Sequence, residues 1–315
     1  MKVVLVQEDG KLPNLALMSI AQYHRNRGDE IELFIHKAPP TGYDRVYASR
    51  IFKFTEEIPL PAGTIRGGTG YSNNISVEDL FGPISGYDYT LYPESFSIGF
   101  TQRGCRFSCD FCVVPKKEGR PRSETTIAGI WRGEPHPRDI ILLDNDFFGN
   151  PQWKDRIAEL VAGKFRVCLC QGINVRTIND EQARALASLR YYDASFKRRS
   201  LYTAWDSLKD EAPFFRGANK LFTAGVRPAH VCVYMLIGYA QDETWEKILY
   251  RHTKITEAGM FAYPMVYSAI AGERNRVVLG RFQKWAVRRY YEVGSWPSFR
   301  KDMYRGDPGD VLDLL

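Results

Sequence analysis

The chain has 315 residues, with 43 Lys and Arg against 37 Asp and Glu, a formal net charge of +6 and six cysteines. That length suits one large α/β domain with appendages and is ample for a buried core. Six cysteines in so long a chain, three of them in one short loop, exclude a small secreted disulfide scaffold and favour metal or redox chemistry. No charged leader with an apolar run opens the sequence, and no stretch nears the ~18 apolar residues of a membrane span, so a cytoplasmic protein without membrane association is expected.

In chain order, the apolar strand "KVVLV" leads into "LPNLALMSIAQYHRNRGDE", whose Leu17, Ile20, Ala21 and His24 fall at helical spacing, and then into a second strand, "IELFIH". This is a βαβ start of Rossmann-like type. "DRVYAS" reads as a further strand. The Pro, Gly and Ser density of "PLPAGTIRGGTGYSNN" marks a loop region before a boundary near Pro83 to Pro93. Residues 1–94 are therefore expected to form a small N-terminal βαβ domain.

From residue 95 the pattern becomes regular. Apolar runs at "FSIGF", "IILL", "RVCLC", "LYTAW", "VCVYMLIG" and "FAYPMVY" alternate with helix-like segments. Asn150 before Pro151 reads as a helix start with proline at the first position, and Asn179 with Gln182 as a capping box. The fold class expected is α/β: a partial (β/α)6 TIM-like barrel over residues 95–268, followed by a C-terminal helical extension over 269–315. In such folds chemistry sits on the loops after the strands. The strand exits carry the cysteine loop, then Asp144, Asn145 and Asp146, then Gln171, Asn174 and Arg176, then Asp206, then Gly238 and Tyr239, then Tyr267 and Ser268.

Cys105, Cys109 and Cys112 are spaced by four and three residues on the loop after the first of these strands, close enough to hold one compact object. A structural zinc or an electron-transfer iron–sulfur cluster normally closes to four ligands. No fourth ligand lies near in sequence, since Cys168, Cys170, Cys232 and His136 are all distant. Three thiolates on a cubane leave one iron with an open position for a small molecule. Cys168 and Cys170 alternate along a strand and read as small buried residues, with an auxiliary cluster as the alternative.

The Cys-x3-Cys-x2-Cys motif, with aromatic Phe111 just before its third cysteine, at the end of the first of six β/α units, resembles the radical S-adenosylmethionine (SAM) superfamily. The resemblance covers roughly residues 95 to 268. It implies a four-iron four-sulfur cluster on Cys105, Cys109 and Cys112, whose open iron binds the amino and carboxylate groups of SAM. It also implies reductive cleavage of SAM to methionine and a 5′-deoxyadenosyl radical that abstracts hydrogen from a substrate, with an electron donor such as a flavodoxin or ferredoxin. Asp144, Asn145 and Asp146 would stand where the family binds the SAM amino group, although the family's Gly-Gly-Glu-like letters are absent; their alternative is capping the next helix. Phe111 and Gly238 would lie near adenine. Gln171, Asn174 and Arg176 would reach the ribose and carboxylate, with Asp206 in the same layer; Arg176 as the surface partner of an acid is the alternative. The N-terminal segment resembles a cobalamin-binding domain but lacks its Asp-x-His-x-x-Gly ligand pattern, which disfavours cobalamin.

Residues 281 to 305 carry Arg281, Lys284, Arg288, Arg289, Arg300, Lys301 and Arg305 against Glu292 and Asp302, interleaved with aromatics such as Phe282, Trp285, Tyr290 and Tyr304. One reading is contact with a nucleotide or nucleic-acid substrate. The other is an amphipathic helix with Phe282, Trp285 and Ala286 packed inward. The acidic tail, Asp307, Asp310 and Asp313, offsets the basic charge. A small-molecule substrate stays open, and so does a noncatalytic zinc or iron–sulfur module that binds a partner.

Overall fold

The computed structural model describes residues 1–71, 75–82, 84, 86–267 and 273–303. Ser268, Tyr304, Arg305 and the acidic tail lie outside them. The chain divides into two compact units, Met1–Ser95 and Phe96 onward.

The first unit contains β1 (Lys2–Gln7), α1 (Leu15–Arg25), β2 (Glu30–Ile35), β3 (Arg45–Ser49), β4 (Ile65–Gly67) and α2 (Val77–Phe81). Its four strands are all parallel, in the order β2-β1-β3-β4. β1 is central, and Val3 to Val6 are fully buried because both faces of the sheet are covered. Val3 and Leu5 pack with Leu17, Ile20 and Ala21 of α1, while Val4 and Val6 meet Val46 and Ala48 on the opposite face. Asn14 caps α1 by accepting from the Leu17 amide at 3.2 Å. β4 lies inside the glycine-rich stretch expected to be loop. Three residues pairing with Tyr47–Ser49 leave too short an apolar pattern to stand out from the flanking glycines.

The second unit holds β5 (Ser97–Gly99), β6 (Gln102–Arg103), α3 (Val114–Glu118), β7 (Arg122–Ser123), α4 (Ile127–Ile130), β8 (Asp139–Leu142) and α5 (Trp153–Ala162). There follow β9 (Arg166–Leu169), α6 (Asp180–Ser188), β10 (Arg190–Tyr191), β11 (Leu201–Ala204), α7 (Glu211–Thr223), β12 (Val231–Ile237), α8 (Trp245–Glu257), β13 (Phe261–Val266), α9 (Glu273–Val287) and α10 (Trp296–Met303). Each of the six expected apolar runs contains a strand. They form two parallel sheets, β10-β9-β8-β5 and β11-β12-β13, which are not closed into a ring. The sheets meet where the Ile173 amide, just past β9, donates to the Tyr202 carbonyl at 2.7 Å.

Alternate residues of these strands face the helices. Ile140, Leu142, Val167, Leu169, Val231, Val233, Met235 and Ile237 are buried in one core with Leu186, Phe214, Leu221, Ile248 and Ile255. α6 starts with the expected capping box: Asn179 accepts from the Gln182 amide at 2.8 Å and Gln182 from the Asn179 amide at 3.1 Å. α5 begins later than expected. Asn150 accepts from the Gln152 amide at 2.9 Å, which shapes the turn ahead of Trp153 rather than capping a helix at Pro151. α9 is amphipathic, with Phe282, Trp285 and Ala286 buried in the core and Lys284 exposed, as are Arg288 and Arg289 just past its end. Phe282, Trp285 and Trp296 are thereby withdrawn from stacking on any external base.

Candidate functional site

The cysteine loop leaves β5 and is closed at its base. β6 and β7 pair antiparallel, Gln102 opposite Ser123 and Arg103 opposite Arg122, and the Cys105 amide donates to the Gly119 carbonyl at 3.1 Å. Gly104 has φ +80°, and a Cβ there would lie 2.3 Å from the Arg120 carbonyl oxygen, so only glycine fits this crossing. Buried Gln102 donates from Nε2 to the carbonyls of Arg103 and Gly104 at 2.6 and 2.7 Å, and its Oε1 accepts from the Asp146 amide at 3.0 Å. Glu118, at the end of α3, accepts from the Gly104 amide at 3.0 Å and from Asn145 Nδ2 at 2.8 Å.

The exit of β8 completes this frame. Asp146 accepts from Arg106 Nε at 2.7 Å, Nη2 at 2.8 Å and its amide at 3.1 Å. Asp144 accepts from the amides of Thr101 and Gln102 at 2.7 and 3.1 Å, and from the Thr101 hydroxyl. Burial pushes its carboxyl up to about 6, against these hydrogen bonds. The resemblance places Asp144, Asn145 and Asp146 at a ligand. Here their side chains are engaged with the cysteine loop and its stem, and none caps the following helix.

All six cysteines are free thiols, and Cys105, Cys109 and Cys112 are half-buried. The Cys112 amide donates to the Cys109 carbonyl at 2.9 Å, a tight turn, and the Phe107 amide approaches Cys105 Sγ at 3.5 Å. Burial pushes the Cys105 thiol up, partly offset by the Phe107 N–H; neighbouring Asp146, Cys112 and Cys109 add to the rise. Burial also raises the Cys109 thiol, and the Arg176 guanidinium opposes it. Among the described residues, no three His, Cys, Asp or Glu side chains are gathered as metal ligands. The donor chemistry fits an iron–sulfur cluster all the same. Three soft thiols share one loop, and the raised proton affinity of Cys105 and Cys109 is what coordination to a cation reverses.

The other strand exits approach from β9 to β13. Asn174 Oδ1 accepts from the Arg176 amide and Nε at 3.2 and 3.1 Å; Arg176 also pairs with Asp210 and stands 5.6 Å from the Phe107 ring. Arg176 thus has the acidic partner expected of it as the alternative, and its charge bears on Cys109. Asp206 accepts from the Leu236 amide at 2.8 Å, and burial raises its carboxyl against the pull of Arg251 and Arg176. Phe111 meets Tyr239 edge-to-face at 5.4 Å, and Tyr239 meets Tyr267 at 4.9 Å. The exits of β9 and β12 thus reach the cysteine loop, and that of β13 joins them through Tyr239. Gly238 has φ +78°, and this left-handed backbone favours glycine; an added Cβ would meet Leu279 Cδ1, the end of a side chain, at 2.6 Å. Gln171 is exposed and is not drawn into this group.

Some contributors were not singled out from the sequence. Arg251, 2% exposed, donates to the carbonyls of Trp205, Asp206 and Leu236 at 3.1 to 3.3 Å and pairs with Glu243, locking two strand exits together. One signal was present: Arg251 stands in the apolar stripe of Ile248 and Ile255. Arg106 and Glu118 carry no local signal because their partners are 14 to 40 residues away, and Gln102 ties its own turn to the Asp146 amide 44 residues on. Cys168 and Cys232 are buried, and burial pushes Cys232 up to about 12. Cys168 is raised by its contact with Cys170, which lies 3.5 Å from the Leu142 carbonyl. Cys168 and Cys232 are small buried thiols of the strand wall, whereas Cys170, at the end of its strand, is only half-buried.

Comparison of the chain with family models, curated proteins and solved structures finds no match to any of them.

Proposed function

We propose that the second unit is a radical SAM enzyme with an open, partial (β/α)6 barrel, and that Cys105, Cys109 and Cys112 hold its four-iron four-sulfur cluster. One observation carries this reading: the three-thiol loop is closed at its base and anchored by Gln102, Glu118 and Asp146, at the exit of the first of six parallel strands. When bound, such a cluster supplies the electron for reductive cleavage of SAM, giving methionine and a 5′-deoxyadenosyl radical that takes hydrogen from the substrate.

The chain's own residues have definite tasks in this scheme. Asp146, through Arg106, fixes the backbone direction at Cys105, and Gln102 and Glu118 hold the stem. Arg176 places positive charge beside Cys109, favouring its thiolate and attracting a carboxylate. Phe111, Tyr239 and Tyr267 offer rings against which adenine packs. The substrate is a small molecule or nucleotide, and the electron comes from a flavodoxin- or ferredoxin-type donor in the cytoplasm.

The test is anaerobic reconstitution with iron and sulfide. About four irons per chain, and 5′-deoxyadenosine formed from SAM with dithionite, are expected. Alanine at Cys105, Cys109 or Cys112 abolishes both, whereas alanine at Cys168, Cys170 or Cys232 leaves cleavage largely intact. Stoichiometric zinc with no cluster absorption would refute the proposal and leave a noncatalytic metal module.

A further inference from the structure

At the edge of the first unit's sheet where β1, β3 and β4 begin, there is a cavity of about 260 Å³ whose walls include Tyr23, His24, Arg27, Arg45, Tyr47 and Phe81. We propose that it binds a small planar aromatic anion, a site independent of the cysteine chemistry of the second unit.

The walls are aromatic and held in place. Tyr23 and Phe81 stand 4.3 Å apart, and Tyr47 and Phe81 5.8 Å apart, between ring centroids. His24, 2% exposed, is fixed at both nitrogens, Nδ1 by Asp29 at 2.7 Å and Nε2 by the Tyr47 hydroxyl at 3.2 Å. Such surfaces receive a flat ring edge-on or offset. A volume of about 260 Å³ suits one or two fused rings with an acidic substituent and is small for a dinucleotide.

The charges at the mouth set the sign of the ligand. Arg27 and Arg45 are exposed; among the described residues neither makes an ion pair, and the Arg27 guanidinium lies 5.5 Å from the Tyr23 ring. The nearby acids are engaged: Asp29 holds His24, and Asp44 accepts from the Lys2 amide at 2.7 Å. The last turn of α1 would otherwise present carbonyls that disfavour an anion. Three of the four are covered, Gln22 O by the Asn26 amide at 3.1 Å, Arg25 O by the Gly28 amide at 2.9 Å, and His24 O by the Arg27 and Asp29 amides at 3.0 and 3.1 Å. Two unpaired guanidinium groups beside an aromatic wall recognise a ring that carries a carboxylate or phosphate.

The full chain is titrated with indole-3-acetate, with indole and acetate as its separate halves, by calorimetry and ligand-observed NMR. Saturable binding with Kd of about 1 mM or tighter is expected, with indole about tenfold weaker and acetate weaker still. The Arg27→Gln/Arg45→Gln double variant loses about tenfold for indole-3-acetate, matching it to indole, while keeping the wild-type melting temperature. Arg45→Lys keeps binding within about threefold, and added salt weakens it. No saturable binding below about 5 mM, equal affinity for indole and indole-3-acetate, or an unaffected double variant would each overturn the proposal.

Discussion

The base of the cysteine loop gives a prediction whose size follows from geometry. Replacing Gly104 by alanine forces a side chain onto φ +80° and places its Cβ 2.3 Å from Arg120 O, 2.6 Å from Arg120 C and 2.7 Å from Gly119 O. These are backbone atoms and cannot swing aside. The left-handed conformation alone costs about 1–2 kcal/mol. Relieving the contact separates the two sides of the stem, which puts at risk the Cys105 amide bond to Gly119 and the Gln102 bond to the Gly104 carbonyl, at about 0.5–1.5 kcal/mol each. The sum, about 2–5 kcal/mol, lowers the melting temperature of a unit this size by about 4–20 °C. The control is Gly119→Ala at φ +73°, with nothing within 4 Å of the added Cβ, which carries the conformational cost alone. The assay is thermal melting followed by circular dichroism, with limited trypsin cleavage at Lys116, Lys117 and Arg122 as a local probe. If Gly104→Ala melts like wild type, or Gly119→Ala is the more damaging change, the account of the stem is wrong.

Asp144 titrates at about 6 in the folded unit against 3.8 for an unperturbed aspartate. Its stabilising contribution is thus complete below about pH 3.8 and lost as pH rises through about 6, on the order of 3 kcal/mol. Asp144→Asn, whose oxygen still accepts from Thr101 and Gln102, is expected to flatten stability across that window in pH-resolved melts; an unchanged slope counts against it. Arg251→Ala removes the buried cation paired with Glu243 and a donor to three carbonyls, and should cost about 3–5 kcal/mol, read as a melting temperature about 10 °C lower. Asp146→Ala frees Arg106, weakening the loop anchor by about 1–3 kcal/mol, and tryptic cleavage at Arg106 should accelerate; wild-type cleavage rates would show that the ion pair does not hold the loop.

What the sequence by itself determined is local. The six apolar runs became strands because a parallel strand covered on both faces needs a short continuous apolar segment, which composition alone displays. Asn179 and Gln182 made their capping box because both partners lie within one helical turn. Phe282, Trp285 and Ala286 went inward because helical spacing put them on one face. The spacing of Cys105, Cys109 and Cys112 marked the loop without any knowledge of the fold. Only tertiary structure decided what surrounds it. Asp144, Asn145 and Asp146 became anchors of the cysteine loop and its stem rather than caps of the following helix, because Thr101, Glu118 and Arg106, 27 to 43 residues away, supply their partners. Arg251 was drawn into the core by carbonyls of two strand ends, and Phe111 met Tyr239 across more than a hundred residues of chain. Pairings of that kind depend on how the strands stack in space, and no periodicity within one segment encodes them.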